Sequence, residues 1–498
     1  MDIFFTEEKL ACRIDALAPW RMRDAIKAHG LRMMECPPEE VNPSPPPMDS
    51  EWTEAVLGQK WSGRDKYLWL TCDLEFPVQW NGRQLVGLFD FGVTGSCSTY
   101  GFEALLYVDG VPFQGVDTHH QEVYFPEHFA GRTVPVVFRL WSGLEGGGVP
   151  LIMTHVFRQA ETAWLDESVD QLYYAGRMIL ETLPLLSDND PVRTALRNAL
   201  NQALLEVDWR DEGSTSFHAS VQTAWGTLDR LLNSMDKQSV VDLVCVGHTH
   251  IDVAWLWRYK HTREKSARSF STVLRLMEQY PEYTFLQSQP QLYEYIKNDF
   301  PEIYEGIRQK IREGRWEVDG GMWIEADCNI PSGESLTRQI LVGTRFTEKE
   351  FGTRMHYLWL PDVFGYSWAL PQILKKSGLN TFITTKISWN ECNQMPHDTF
   401  YWVGIDGTKI LTHFITTPAA SEEQGTWYYT YNGEMVPGAA AGIWNNYRNK
   451  DLTSKLLMAY GYGDGGGGVN REELEQRRII DRLPGLPRIR HGNGALFS

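Results

Sequence analysis

The stretch that decides the fold runs from residue 241 to residue 252 and reads VDLVCVGHTHID. Its first half, Val241–Val246, is a short apolar run that is typical of a buried strand. Its second half sets His248, His250 and Asp252 directly after that strand. In a parallel α/β fold, polar groups at the carboxyl ends of the strands form the functional site.

Strands and helices alternate from about residue 240 onward. After the first strand, a predicted helix carries Ala267, Phe270, Leu274 and Met277 along one face. Strand-like segments then recur at 284–286, 316–318, 357–360, 382–385, 410–413 and 456–460, with helical stretches between most of them. About seven βα units in a row predict a closed or nearly closed (β/α)7-type barrel over residues 239–498.

The region before the barrel divides into three predicted parts. Residues 1–48 form an N-terminal segment and a proline-rich linker. Residues 49–162 are rich in strand-like runs, and Asp109-Gly110 between Leu105–Val108 and Val111 predicts a hairpin, so we expect an accessory β-sandwich. Residues 163–238 have apolar residues at helical spacing and predict a helical connector.

Composition limits the partners and the compartment. Lys plus Arg number 47 against 64 Asp plus Glu, a net charge of −17, which disfavours nucleic acid and anionic membranes. No apolar run approaches the length of a membrane span, and the first residues lack the pattern of a signal peptide. The seven cysteines are scattered without a C-x-x-C pair, which is typical of a reduced protein. We therefore expect a cytoplasmic protein.

Four strand ends carry the residues that point to chemistry. His250 and Asp252 follow the first strand, Asp362 follows 357–360, Lys386 follows 382–385 and Asp464 follows 456–460. Imidazole and carboxylate two residues apart on extended backbone point the same way, which suits a divalent metal. A hydrogen-bonded loop without metal is the simpler alternative.

Two families of metallo-hydrolase share part of this pattern. The metallo-β-lactamase motif needs a histidine directly after the aspartate, where this chain has Val253. Amidohydrolase barrels also begin with H-x-H after a first strand, but they usually need two further histidines at later strand ends. A barrel metallo-hydrolase of the amidohydrolase type therefore stays as an alternative.

Longer motifs resemble one known family. Gly247–Trp257 is similar to the metal motif of glycoside hydrolase family 38, which contains α-mannosidases, and Trp359–Ser367 resembles its nucleophile motif. Gly320–Asn329, Pro331–Ser335 and Gly461–Gly468 resemble the cytosolic and bacterial branch of that family. The resemblance extends over residues 240–470 and, more loosely, over the regions before them.

The resemblance implies a retaining α-mannosidase that removes terminal non-reducing α-D-mannose from oligosaccharides by metal-assisted double displacement. His250, Asp252 and Asp362 are the implied ligands of one divalent ion, zinc, with cobalt as the alternative. Asp362 is also the implied nucleophile, which forms a covalent mannosyl-aspartate. Trp255 matches the aromatic residue that packs on the sugar. Lys386 stands where other branches have an arginine beside the nucleophile.

Asp464 is the implied acid/base residue, although other branches have two adjacent aspartates there and this chain has one, followed by glycines. The glycine run lacks the ending of a phosphate loop, and we expect a flexible loop beside the sugar site. The resemblance makes His248 a supporting residue rather than a ligand.

The resemblance also implies that these residues are the N-terminal half of a longer chain, with a catalytic barrel over 239–498 that is incomplete at its C-terminal side. In the family, the fourth metal ligand is a histidine next to an aspartate on a later helical segment, for which His491 is a poor substitute. The alternatives are a short enzyme that recruits His413 or water, and an inactive carbohydrate-binding fragment. The expected partner is a mannose-containing oligosaccharide, and the pattern leaves a homo-oligomer open.

Overall fold

The computed structural model describes residues 5–37, 44–92, 101–145, 147, 149–419 and 428–492. After helix α1, Thr6–Asp15, its first twelve strands are β1 Met22–Lys27, β2 His29–Cys36, β3 Thr53–Glu54, β4 Lys60–Gly63, β5 Tyr67–Phe76, β6 Leu85–Asp90, β7 Glu103–Val108, β8 Val111–Asp117, β9 Glu122–Phe125, β10 Arg132–Trp141, β11 Met153–Val156 and β12 Gln159–Leu165. Two antiparallel sheets have the orders β1-β12-β6-β9 and β3-β2-β5-β10-β7-β8, and β4 pairs with β11.

The predicted N-terminal β-sandwich is confirmed by these sheets, which enclose a core of aromatic and aliphatic side chains. The sandwich also takes in β1 and β2, so its strands lie on both sides of the predicted boundary at residue 48. The predicted hairpin is confirmed as well, because Val108 pairs with Val111. Asp109 and Gly110 have φ angles of 51° and 78°, the left-handed values that a tight two-residue hairpin turn requires.

Three long helices follow the sandwich, as the apolar spacing predicts. They are α2 Glu167–Thr182, α3 Pro191–Leu204 and α4 Thr215–Ser234. Asp166, Asp190 and Ser214 cap them, since each side chain accepts a hydrogen bond from a backbone N–H of the first turn. Short 3-10 turns lie at Ala18–Trp20, Val78–Trp80, Glu127–Phe129, Leu183–Leu185 and Lys386–Ser388.

The rest of the chain alternates strands and helices. Its strands are β13 Asp242–His248, β14 Phe285–Leu286, β15 Trp316–Glu317, β16 Tyr357–Leu360, β17 Thr381–Thr384, β18 Thr399–Val403, β19 Lys409–Phe414, β20 Lys455–Tyr460 and β21 Arg488–His491. Its helices are α5 Tyr259–Gln279, α6 Pro290–Asp299, α7 Pro301–Arg312, α8 Gly333–Phe351, α9 Leu370–Lys376, α10 Pro437–Asn446 and α11 Arg471–Arg482.

These strands form two sheets. One has the order β15-β14-β13-β20, all parallel, with β21 also parallel to β13. The other has the order β16-β17-β19-β18, in which only the β18–β19 pair is antiparallel. A parallel bridge between Gly320 and Leu358 links the two sheets. The prediction of parallel βα units is therefore confirmed.

Helix α5 joins the sandwich to the parallel sheets. The side chains of β5 alternate, so that Leu70 and Leu74 lie in the sandwich core while Tyr67 and Trp69 belong to the core shared with α5. The Tyr67 hydroxyl donates to Glu264 of α5 at 2.7 Å. On β8, the N–H of Gly115 donates to Thr272 Oγ1 of α5 at 3.1 Å. One face of the sandwich is thus buried against the parallel sheet domain.

Among the helices in the described part of the chain, none has the length and apolar character needed to cross a bilayer.

Candidate active site

Each candidate side chain follows a strand of the two parallel sheets. His250 and Asp252 follow β13, Asp362 follows β16, Lys386 follows β17 and Asp464 follows β20. The structure brings three of them together, because one nitrogen or oxygen atom from each of His250, Asp362 and Asp464 lies within 4.8 Å of the others.

The imidazole of His250 is the centre of this group, and it is buried. Its Nε2 lies 3.3 Å from Oδ1 of Asp252 and 3.6 Å from Oδ2 of Asp362. Its Nδ1 lies 2.6 Å from Oε2 of Glu325. Burial opposes protonation of the ring, but Glu325 and Asp252 outweigh it and raise the pKa of His250 well above its usual value.

Glu325 is not among the site residues that the sequence predicts. Its carboxylate is buried, and Oε1 accepts a hydrogen bond from the Ser288 hydroxyl at 2.6 Å. A carboxylate on one ring nitrogen of a histidine fixes the tautomer, so that the other nitrogen is free to bind a metal. Two features of the sequence could have indicated Glu325. It lies in the Gly320–Asn329 motif, and a histidine that binds a metal through one ring nitrogen needs an acceptor for the N–H of the other.

The residues present fit a divalent cation. Two ligands of a tetrahedral zinc ion lie about 3.4 Å apart when each bond is about 2.1 Å. The distances from His250 Nε2 to Asp252 and Asp362 match that spacing. The carboxylates of Asp252, Glu325 and Asp362 also outnumber the positive charges of Lys386 and a protonated His250, so a bound cation would help to balance the site.

Asp362 contacts a positive charge on its other side. Nζ of Lys386 lies 2.8 Å from Oδ1 of Asp362. The same ammonium lies 4.0 Å from the centre of the Trp389 ring, a cation–π contact. The Trp389 indole is itself held, because its N–H donates to the Tyr429 carbonyl at 2.8 Å. Lys386 is therefore directed at the carboxylate and not at solvent.

Asp464 faces Asp362 across the site. Its Oδ1 accepts from the Tyr431 hydroxyl at 2.8 Å, and its Oδ2 accepts from the Asn432 amide at 3.2 Å. Burial raises the pKa of Asp464, and the neighbouring charges of Asp362 and Asp252 raise it further, while His250 and Tyr431 oppose the shift. A carboxyl group with a raised pKa is suited to donate a proton.

Trp255 and His248 lie on either side of His250 and Asp252 in the sequence and have different surroundings. The Trp255 side chain is 49% exposed, and its ring packs edge-on against Trp257 at 5.4 Å. His248 is buried with its ring 5.2 Å from that of Trp359, and burial lowers the pKa of His248 to about 3. Its Nε2 lies 3.9 Å from Glu325, away from the two aspartates that His250 faces.

Of the two histidines considered as a further ligand, only the side chain of His413 is described, and it contacts Thr399. Nδ1 of His413 is 2.8 Å from the Thr399 hydroxyl, so the ring belongs to the β18–β19 pair. His491 ends β21, and its side chain lies outside the described residues, as do residues 493–498.

Comparison with known families gives the class of the protein. Residues 240–497 match the family described as "Glycosyl hydrolases family 38 N-terminal domain". Residues 27–134 match the family described as "Alpha-mannosidase, jelly roll domain". The chain therefore belongs to glycoside hydrolase family 38, which confirms the resemblance and sets aside the amidohydrolase alternative.

The relatives are named as α-mannosidases. Alpha-mannosidase G of Dictyostelium discoideum is 31% identical over 465 residues, which are 90% of this chain and 40% of that protein. Alpha-mannosidase 2C1 of Homo sapiens is 33% identical over 436 residues, 84% of this chain and 39% of that protein. Alpha-mannosidase of Saccharomyces cerevisiae is 40% identical over 246 residues, 49% of this chain and 22% of that protein. The chain thus spans at most two-fifths of the length of these relatives.

Proposed function

We propose that this chain carries the active site of a retaining α-mannosidase, which removes terminal non-reducing α-D-mannose from oligosaccharides. The observation that carries the proposal is the pairing of Asp362 and Asp464, since one carboxyl oxygen of each lies within 4.8 Å of the other and of a ring nitrogen of His250. Retaining glycosidases hold their two carboxyl groups about 5–5.5 Å apart, whereas inverting enzymes need about 6.5–9.5 Å. Mannose as the sugar rests on the names of the relatives.

In this mechanism the two aspartates act in turn. Asp362 attacks the anomeric carbon, the bond to the leaving oxygen breaks, and Asp464 gives that oxygen its proton, which leaves a mannosyl-aspartate. Asp464, now a carboxylate, then takes a proton from water, whose oxygen attacks the anomeric carbon and releases Asp362. The raised pKa of Asp464 supports the first role, and Lys386 places a positive charge against the nucleophile.

His250, Asp252 and Asp362 would hold the divalent ion, zinc or alternatively cobalt. When bound, the ion would supply positive charge to the nucleophile and to sugar hydroxyls. His250, Asp362 and Asp464 are an alternative ligand set. We favour Asp252 over Asp464, because both oxygens of Asp464 already accept hydrogen bonds, from Tyr431 and Asn432.

We infer a (β/α)7-type barrel, because Val244, Tyr357 and Leu457 from the two parallel sheets share one buried cluster. Trp255, which is half exposed and follows Asp252 closely in the sequence, would pack against the sugar. A cytoplasmic location rests on the six free cysteines among the described residues. The domain boundaries at about residues 48, 162 and 238 remain predictions, and so does a homo-oligomer.

The test is turnover of 4-nitrophenyl α-D-mannoside by the full-length product of the gene, loaded with zinc. We expect hydrolysis that chelation removes and that added metal restores, with no turnover of the β-mannoside. Asp362→Asn is the matched control, because it keeps the shape of the side chain but removes the nucleophilic carboxylate, and it should show no turnover. A zinc-loaded protein that binds mannose without turnover would favour the inactive carbohydrate-binding alternative.

A further inference from the structure

The glycine-rich loop that carries Asp464 lies buried between two domains. Gly465, Gly466, Gly467 and Gly468 are all buried. Tyr462 and Gly468 exchange two backbone hydrogen bonds, of 3.0 and 2.8 Å, which close the loop into a ring with Asp464 near its tip. Asp464 has a φ of 53°, a left-handed conformation that aspartate tolerates better than most residues. The loop is therefore packed and internally hydrogen-bonded, and its flexibility stays a prediction.

One side of the loop is tied to the metal-ligand strand end. The N–H of Gly465 donates to the carbonyl of His250 at 3.0 Å. A Cβ atom added to Gly468 would lie 3.2 Å from Cβ of Thr249, so the loop also packs closely on the residue before His250. The backbone next to Asp464 is thus hydrogen-bonded to the backbone of His250, so the positions of these two residues depend on each other.

The other side of the loop is tied to the β-sandwich. His120 is 3% exposed, and its Nε2 lies 3.1 Å from the carbonyl of Val469, at the end of the loop. Its Nδ1 lies 2.9 Å from Oδ1 of Asp117, which also accepts the backbone N–H groups of His119 and His120. Both ring nitrogens therefore face acceptors, the arrangement of a doubly protonated imidazole.

The glycines permit this approach. A Cβ atom on Gly467 would lie 2.7 Å from Cε1 of His120 and 2.8 Å from Oδ2 of Asp117, closer than any side chain allows. Gly467 also has a φ of 94°, in the left-handed region. Next to it, the His119 ring stacks on Tyr462 at 3.8 Å with an interplanar angle of 16°. Because Gly467 has no side chain, the loop can contact the Asp117–His120 turn directly.

We propose that His120, held by Asp117, is a positioning residue for catalysis: it fixes the loop from the sandwich side and so holds the Asp464 carboxyl at its distance from Asp362. This inference rests on the proposed function, in which Asp464 protonates the leaving oxygen. A displacement of about 1 Å in a catalytic group can lower a rate by about 100-fold. The sandwich would then be part of the catalytic apparatus of the barrel.

A purely stabilising role of His120 at the domain interface would affect activity in a different way. If His120 only holds the domains together, its loss lowers stability and affects all substrates alike. If it positions the proton donor, the loss grows as the leaving group becomes more basic, because a good leaving group departs without a proton. The dependence on the leaving group therefore separates the two roles.

The experiment compares His120→Ala with His120→Gln, whose amide can still donate to the Val469 carbonyl. The control is His155→Ala. His155 is an equally buried histidine of the sandwich, whose Nε2 lies 3.0 Å from the Ser142 carbonyl. All variants are made in the full-length, zinc-loaded protein, and kcat/KM is measured on phenyl and 2,4-dinitrophenyl α-D-mannosides.

For His120→Ala we expect a loss of about 10-fold to 100-fold on the phenyl mannoside and a much smaller loss on the dinitrophenyl mannoside. His120→Gln should recover most of the lost activity, and His155→Ala should affect both substrates equally. Equal losses on the two mannosides in His120→Ala, or no loss, would overturn the positioning role.

Hydrogen exchange gives a readout that needs no activity. In His120→Ala, amides of residues 461–469 should exchange faster than in the parent protein, while His155→Ala leaves them unchanged. Unchanged exchange in His120→Ala would overturn the inference even in an active enzyme. If the parent protein has no mannosidase activity, the proposed function fails, and faster exchange would still identify His120 as the residue that fixes the loop.

Discussion

Nδ1 of His250 lies 2.6 Å from a carboxylate oxygen of Glu325, while Nε2 of the same ring faces Asp252 and Asp362. The Ser288 hydroxyl and the Gln289 side chain hold Glu325 in turn, the first through Oε1 and the second through the backbone N–H. Glu325 thus determines which nitrogen of His250 is offered to a cation, although it would not touch the ion itself.

Replacement of Glu325 should therefore weaken metal binding. Glu325→Gln keeps the size of the side chain but removes the negative charge, and we expect the affinity for zinc to fall by about 10-fold to 100-fold. Competition with a zinc chelator measures the change. Glu334→Gln, at an exposed position, is the control. Equal affinities of Glu325→Gln and the parent protein would show that Glu325 does not orient the ligand.

Asp362 should be the residue that becomes covalently bound to the sugar. A fluorinated mannosyl trap slows the second step, so that the intermediate accumulates, and peptide mass spectrometry then locates the label. We expect the label on Asp362 and no label in Asp362→Asn, which should also lack turnover. Label on Asp464 or on another carboxylate would contradict the assignment of the nucleophile.

The positive charge of Lys386 should contribute more to catalysis than the shape of its side chain. Lys386→Met removes the ammonium that lies 2.8 Å from Asp362, and we expect kcat/KM to fall by about 100-fold. Lys386→Arg keeps the charge and should retain most of the activity. Steady-state kinetics on an aryl α-mannoside tests both variants. A Lys386→Met enzyme as active as the Lys386→Arg enzyme would show that the ion pair has no role in catalysis.

Asp170 of α2 should be important for stability. Its buried carboxylate forms ion pairs with Arg21, at 2.7 Å, and with Arg471 of α11, at 2.6 Å. Asp170→Asn leaves two arginines without this partner, and we expect the free energy of unfolding to fall by about 3–5 kcal/mol. The exposed pair of Glu334 with Arg338 is the comparison.

Glu334→Gln should change the free energy of unfolding by less than about 1 kcal/mol, because solvent screens an exposed pair. Denaturant titration of both variants gives the two values. Similar small losses in Asp170→Asn and Glu334→Gln would mean that the buried ion pairs of Asp170 on α2 contribute little to the free energy of unfolding.

The sequence determined the order of the βα units and most of the candidate site. Strand ends can be recognised locally, since an apolar run stops where polar residues begin, and in this way His250, Asp252, Asp362, Lys386 and Asp464 were all identified. Parallel strands share one carboxyl edge, so a local pattern also predicts which residues meet.

Only the tertiary structure decided which residues support that site. Glu325 is 75 positions from His250 in the chain, in a segment without regular strand or helix structure, and His120 is 349 positions from Val469 in another domain. Periodicity carries no information about such contacts. They depend on how the sandwich packs against α5 and on how close the glycines allow two backbones to approach, and both are properties of the assembled domains.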